Sequence, residues 1–380
     1  MKIIDISCHI VDGGGRNIIF VKTKTDKGIT GWGEAFSVGP DQAVSSTIDH
    51  LKHWIIGEDP RDIERLWATI YQGLRFPPGS IGLAAISGIE HTLWDISAKD
   101  LGLPVYKLLG GKMRDRVRVY QGCSGKSPKE ASELAKHLIK QYGYTSLKMS
   151  PFPPDNHLLP WNRVIEDGPK FLGTVRQSVG EDIDIGIDVH AKIFEPRKAV
   201  ELAKAISKFR PMFFEEAIRP ENIREMSWVK KLSPIPIATG EALFTKFQFN
   251  DLIRSDAADI IQPDVCICGG LLEMKKIAAI AEGYNIAVAP HNPMGPLAGA
   301  INVHFAASIN NFLILEYKPH DKGRWSEFVK NPWIPVDGHL EIPETPGWGL
   351  DIDEDALLKY PPIDWRRGNP INNDNSPALL

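Results

Sequence analysis

At 380 residues the chain is too long for one ordinary domain and long enough for two, or for one large barrel with an appendage. Its 44 basic and 48 acidic residues leave a net charge of −4 with no Lys/Arg-rich run, which argues against a nucleic-acid partner, and no stretch approaches the roughly 18 apolar residues of a membrane span. The start Met1-Lys2-Ile3-Ile4-Asp5 puts an acid where a signal peptide needs its apolar run, and four cysteines are too few for a disulfide framework, so a cytoplasmic protein is expected.

Residues 17–25 and 29–35 are β-branched runs on either side of Asp26-Lys27-Gly28, the pattern of an antiparallel hairpin. From about residue 41 to 101 the apolar positions move to helical spacing, as in Ala84, Ala85, Gly88, Ile89, Leu93, Trp94, Ile96 and Ala98. Strands followed by helices predict a compact α+β capping domain over 1–115. Beyond it, short apolar runs alternate with helical patterns, giving candidate strands at 117–120, 146–149, 183–189, 212–216, 236–241, 260–264, 286–291 and 312–317. Several are apolar throughout, as parallel strands covered on both faces are. The count predicts an α/β fold, a (β/α)8 barrel over 116–335. An open doubly wound sheet is disfavoured, because no Gly-x-Gly-x-x-Gly turn follows the first strand.

Most of the eight runs end on a residue able to bind a metal or move a proton: Lys148, Asp188 with His190, Glu215, Glu241, Asp264, His291 and Glu316. In a barrel these positions face one mouth, where barrel enzymes keep their chemistry. Asp188 to Glu215 is 27 residues, Glu215 to Glu241 is 26 and Asp264 to His291 is 27, each one βα unit. One site is visited on successive strands. Three carboxylates converging there would repel unless a cation lay among them, and oxygen-only ligands point to Mg2+. Such an ion polarises a substrate carboxylate so that its α-proton can leave. A neutral histidine is the natural acceptor near pH 7, and Asp264 could fix its tautomer.

These motifs resemble the enolase superfamily, within it the mandelate racemase group, and most closely the acid-sugar dehydratases of the galactonate type. The similarity runs over nearly the whole chain. It is carried by Leu93-Trp94-Asp95-Ile96-Ser97-Ala98-Lys99, Asp188-Val189-His190, Phe214-Glu215-Glu216, Thr239-Gly240-Glu241, Gln262-Pro263-Asp264, Gly269-Gly270 and Ala289-Pro290-His291-Asn292. Pro346-Gly347-Trp348-Gly349-Leu350 resembles that group's C-terminal return to the cap, so 336–380 is expected to form that segment. The resemblance implies Asp188, Glu215 and Glu241 as Mg2+ ligands, His291 with Asp264 as the base dyad and His190 as the acid. It implies Glu316 as a hydrogen-bond partner of substrate, and a homo-oligomer as the assembly.

Two departures from the broader group shape the expectation. Many relatives end the second strand in Lys-x-Lys, whereas this chain has Leu147-Lys148-Met149-Ser150. A serine hydroxyl is too weak to serve as a base on the second face of an α-carbon, so racemisation is disfavoured. Lys148 remains as a cation for the substrate carboxylate, or as an ion-pair partner of a neighbouring ligand. The expected reaction is dehydration of an aldonate-like sugar acid to a 2-keto-3-deoxy acid, with a one-base isomerase or cycloisomerase and a non-catalytic binding barrel as the alternatives. The second departure is the proline-dense stretch after Lys148, read as a wall over the substrate or as an oligomer contact.

Overall fold

The computed structural model describes residues 1–152, 155–368 and 370–378, so Pro153 and Pro154 of the proline-dense stretch lie outside the described residues. The cap opens with a three-stranded antiparallel sheet, β1 (Ile3–Asp12), β2 (Asn17–Thr25) and β3 (Thr30–Ala35), in that order. The hairpin expected from the sequence is β2 and β3, paired from Ile19 with Ala35 to Lys24 with Thr30. Against the sheet lie α1 (Asp41–Leu51) and the 23-residue α3 (Gly79–Leu101), with α2 (Ile63–Gly73) packed on α3 and the short α4 (Val105–Leu108) following. Helix α3 is buried from Gly82 to Ala98 because strand and helix backbones touch. A Cβ on Gly33 would stand 2.1 Å from the Gly88 carbonyl oxygen, so only glycine lets β3 approach.

The barrel follows as β4 (Arg116–Gly122), α5 (Pro128–Tyr142), β5 (Ser146–Met149), α6 (Trp161–Val179), β6 (Asp184–Asp188), α7 (Pro196–Ile206), β7 (Phe214–Glu215) and α8 (Ile223–Leu232). It continues as β8 (Ile237–Thr239), α9 (Thr245–Arg254), β9 (Ile260–Ile261), α10 (Leu271–Gly283), β10 (Ala287–Val288), α11 (Pro296–Ser308) and β11 (Leu315–Glu316). Neighbours from β4 to β10 pair in parallel in chain order, and β11 pairs in parallel with β4. The ring closes where the Leu313 amide donates to the Val288 carbonyl and the Val288 amide to Asn311, both at 2.8 Å. All eight strands expected from the sequence are present, with later ladders shorter than the apolar runs that announce them. The barrel interior is packed by Tyr120, Phe213, Ala238, Ile260, Ala289 and Ile314. Gly186 makes room there, since a Cβ on it would meet the Phe213 ring at 2.5 Å.

After β11 the described chain does not add an eighth outer helix. It runs through β12 (His339–Glu341), antiparallel to the start of β4, and then back to the cap before α12 (Glu354–Lys359). There the Trp348 indole donates to the Trp32 carbonyl at 2.8 Å, and the Asp95 carboxylate accepts from the Trp32 and Trp348 amides and from Lys99.

Two buried cap carboxylates grip the barrel. Glu90 of α3 accepts from the Leu271 and Leu272 amides, both at 2.9 Å, and from the Trp94 indole at 2.6 Å. Glu34 of β3 accepts from the Gly295 amide and from the Ala298 amide at 2.9 Å. Each satisfies the free N–H groups that open a barrel helix, α10 and α11 respectively. Gly270 is glycine for this reason: φ is +92°, and a Cβ would lie 2.4 Å from the Glu90 carboxylate.

Burial raises both carboxyl pKa values to about 7, although the donated hydrogen bonds pull the other way. A carboxyl whose pKa is higher folded than unfolded binds its proton more tightly in the native state, so its contribution to stability is full below about pH 4.5 and falls as pH rises toward 7. In urea unfolding at about pH 5 and pH 7.5, Glu90→Gln should therefore lose on the order of 2 kcal/mol of that pH dependence while being less stable at pH 5, where its amide presents N–H to N–H. A variant with the parental pH dependence would remove Glu90 as its source.

Candidate active site

The C-terminal ends of the barrel strands bring two groups of side chains together. Lys148, the third residue of β5, is buried among carboxylates from three other strands. Its Nζ lies 2.7 Å from Glu215 Oε1, 3.1 Å from Asp188 Oδ2 and 3.2 Å from Glu316 Oε1. Gln262, just after β9, donates to the second Glu215 oxygen at 2.8 Å. Asp188 Oδ1 accepts the His190 amide at 2.8 Å, and the His190 Nε2 stands 3.3 Å from Oδ2. The backbone is held in the left-handed region at His190 and Ala191, at φ 52° and 55°, a conformation that turns the half-exposed imidazole back over Asp188.

The second group lies across the mouth. Asp264 Oδ1 accepts the Cys266 amide at 2.8 Å, which fixes the carboxylate, and Oδ2 lies 2.8 Å from His291 Nδ1. The His291 Nε2 faces Glu241 Oε2 at 3.4 Å. Glu316 joins the two groups: its Oε2 accepts the Asn292 amide at 3.0 Å while its other oxygen faces Lys148. Phe36, at the end of β3 in the cap, stacks on His291 with ring centres 6.3 Å apart. Ser150, the residue after β5, lines a cavity of about 570 Å3 with Lys126, His157 and Lys192.

Electrostatics explain the arrangement. One ammonium serves three buried carboxylates, Asp188, Glu215 and Glu316. Burial and the neighbouring Asp188 push the Glu215 carboxyl well above its ordinary value, while Lys148 pulls the Asp188 and Glu316 carboxyls down against their own burial. Burial lowers the His291 imidazole, but Glu241, the Asp264 hydrogen bond and Glu316 together carry it up to about 10. Asp188 Oδ2 is fully buried and faces Lys148 Nζ at 3.1 Å and His190 Nε2 at 3.3 Å. Excess negative charge and an all-oxygen donor set fit a hard divalent cation. The three carboxylates expected to hold it do not yet converge: Asp188 and Glu215 share Lys148, while Glu241 faces His291. Among the described residues no ready-made three-ligand metal cluster is present.

The sequence reading named eight site residues, and all eight stand at this mouth. It missed Gln262 as the brace of Glu215, Asn292 as the partner of Glu316, and the cap residues Glu34 and Phe36, although the glycine-rich loop 12–16 that carries Arg16 is visible in the sequence as a specificity loop. Glu34 had a signal, being the one carboxylate in strand β3. Phe36 had none, since its approach to the barrel is a tertiary fact.

Residues 130–356 match the family described as Enolase C-terminal domain-like, and residues 4–110 match the Mandelate racemase / muconate lactonizing enzyme, N-terminal domain. The chain is 34% identical over 361 residues to the D-galactonate dehydratase of Xanthomonas oryzae pv. oryzae (strain PXO99A), covering 93% of each chain. It is 34% identical over 362 residues, with the same coverage, to that of Ralstonia pickettii (strain 12J). Among solved structures, an enolase from Agrobacterium radiobacter, provisionally named galactarate dehydratase and bound to sodium and L-malate, superimposes with a TM-score of 0.96 at 40% identity over the full length of both chains.

The crowding around Lys148 gives a test independent of turnover. Lys148→Met removes the one cation from the cluster and strands buried carboxylates, at a cost of about 3–5 kcal/mol in metal-free protein. Thermal unfolding with and without a millimolar divalent cation should show a lowered Tm in the variant, and a larger cation-induced rise than in the parent. Equal Tm values without metal would mean that the cluster is relaxed by water.

Proposed function

The chain belongs to the mandelate racemase/muconate lactonizing enzyme family of the enolase superfamily and is a carbon–oxygen lyase, and we propose that it dehydrates a sugar acid to its 2-keto-3-deoxy acid. The observation that carries this reading is the pair of imidazoles with different jobs: His291, buried and held by Asp264 at 2.8 Å, and His190, half-exposed beside Asp188 on another strand. Asp188, Glu215 and Glu241 would hold Mg2+, which when bound offsets the charge that builds on the substrate carboxylate as its α-proton leaves.

Asp264 accepts the Nδ1 proton of His291 and so leaves Nε2 as the basic nitrogen. Nε2 takes the α-proton. Glu241 is the largest influence that raises the His291 imidazole; engaged by a cation it would hold the ring up less, which would favour the neutral form able to act as a base. Lys148 orients the carboxylate end of the substrate, and Glu316 accepts a hydrogen bond from a substrate hydroxyl. His190, its ring turned by the strained backbone and free to exchange protons with solvent, protonates the departing β-hydroxyl so that it leaves as water. The resulting enol tautomerises to the ketone. Ser150 supplies no base on the opposite face, which favours elimination over racemisation. The D-galactonate dehydratase relatives and the galactarate name of the Agrobacterium neighbour support a sugar acid as the substrate class.

Asp264→Asn should leave the fold intact, hold the imidazole in the wrong tautomer and lower kcat by about 10²–10⁴. Steady-state assay of keto-deoxy product checks it, and less than a threefold change would make Asp264 structural.

The two histidines should also separate in D2O. His190→Asn keeps the base, so NMR should show the α-hydrogen of the substrate exchanging for deuterium while little keto-deoxy acid forms. His291→Asn should do neither. A His190→Asn enzyme that dehydrates at the parental rate would end the assignment of His190 as the acid.

A further inference from the structure

Arg16 closes the glycine-rich turn between β1 and β2 and reaches across to the loop that follows β10. Its Nη2 donates to the Pro293 carbonyl at 3.1 Å and lies against the Met294 thioether. Its guanidinium stands 5.6 Å from the centre of the Phe36 ring, which is itself stacked on His291. The positive charge is thus one aromatic ring away from the base of the proposed reaction, on the side where the cap covers the mouth.

A guanidinium in that position needs an anion, and every acid near it is committed elsewhere. Asp12 holds Arg324 and the Gly14 amide. Glu34 is taken by the opening amides of α11. Asp264 is taken by Cys266 and His291. Among the described residues no carboxylate forms an ion pair with Arg16, and its recorded partners are one carbonyl and one sulfur. Burial lowers its pKa, Asp264 and Glu34 offset part of this through space, and Arg367 of the C-terminal segment lowers it further. Arg367 is exposed and likewise has no ion-pair partner among the described residues. A half-buried guanidinium without an ion pair among the described residues, one aromatic ring from His291, has the electrostatics of an anion site.

We propose that Arg16 binds the far carboxylate of a substrate charged at both ends, so that the sugar acid is an aldaric acid and not an aldonic acid. This rests on the sugar-acid reading of the catalytic cluster. One carboxylate lies at Lys148 and the carboxylate ligands, the other at the planar guanidinium, whose fork matches it bidentately. An aldonic acid offers Arg16 only a hydroxymethyl group, leaving the half-buried cation without a counter-charge, the situation in which a polar site rejects an analogue strongly. Lys126 and Lys192, which line the cavity beside Ser150, are a weaker candidate for the same role: both are exposed to water, and Glu130 and Asp155 line the cavity with them.

The test is calorimetric titration of His291→Asn enzyme, which cannot turn over, in millimolar Mg2+ with matched pairs: galactarate with galactonate, and glucarate with gluconate. The diacid of the better-bound pair is expected to bind about 10- to 100-fold more tightly than its mono-acid. Adding Arg16→Gln should bring the two within about threefold, almost wholly by weakening the diacid. Arg16→Lys keeps the charge and loses the fork, so its preference should fall between these limits. Equal or weaker binding of both diacids, no measurable binding of either, or a preference that survives either substitution in full overturns the proposal. Product assays with the parent enzyme keep the two readings apart. A diacid preference without any keto-deoxy product sinks the dehydratase and leaves the anion site, whereas turnover of mono-acids with no diacid preference sinks the anion site and leaves the dehydratase.

Discussion

The constraint on which the rest of this structure depends is the convergence of carboxylates at the barrel mouth. Parallel strands around a closed ring deliver their C-terminal residues to one small volume, and here those residues are Asp188, Glu215, Glu241, Asp264 and Glu316. A single ammonium, that of Lys148, touches three of them. Such crowding is costly when left uncompensated, and barrel proteins without a charged ligand have no reason to retain it. The neighbouring elements read as responses to it: Gln262 steadies the second oxygen of Glu215, the Cys266 and Asn292 amides hold Asp264 and Glu316, and the interior of the barrel below is apolar and closed.

The cap is joined to this charge centre by the same physics used in reverse. Glu34 and Glu90 put buried carboxylates where helix openings supply free amides, so the negative charge meets donors instead of other acids. The Glu34 contact falls at Gly295, four residues after His291, and Phe36, two residues after Glu34, stacks on the His291 ring. Cap position and base position are therefore set by one stretch of strand β3. A cap that shifted on the barrel would release the opening of α11 and unstack the imidazole together.

Much of this was legible in the sequence because barrels write their sites periodically. The 26- and 27-residue steps between acids located the mouth, and continuous apolar runs located all eight strands, even where the final ladders contain only two residues, as in β9 and β10. The strand ends were longer in the sequence than in the structure because the apolar run continues past the last ladder hydrogen bond into the loop that carries the functional residue. What could not be read was pairing across the mouth. Nothing in the spacing says that Glu241 faces His291 while Glu215 faces Lys148: Glu215 ends β7, whereas Glu241 lies two residues beyond β8, a difference the 26-residue step does not show. The cap side showed only its glycine-rich loop at 12–16, because Phe36 reaches His291 through a docking that no local pattern encodes.

The asymmetry of the mouth is what the proposed reaction rests on. On the β9 and β10 side stands an imidazole braced by a fixed carboxylate; just after β5 stands Ser150, whose hydroxyl is too weak to serve as a base. Under the proposed reaction, a carbanion formed by His291 is reprotonated from the side it left or is drained by loss of a leaving group, and His190 is the acid assigned to that loss. The backbone is left-handed at His190 and Ala191, where it turns the ring toward Asp188. The same turn lets the His190 and Ala191 amides donate to Asp188 and to the Glu216 carbonyl, so the half-exposed imidazole is fixed beside the charge centre. In the proposed elimination, which needs a base at one carbon and an acid that reaches the next, that is the position the acid would take.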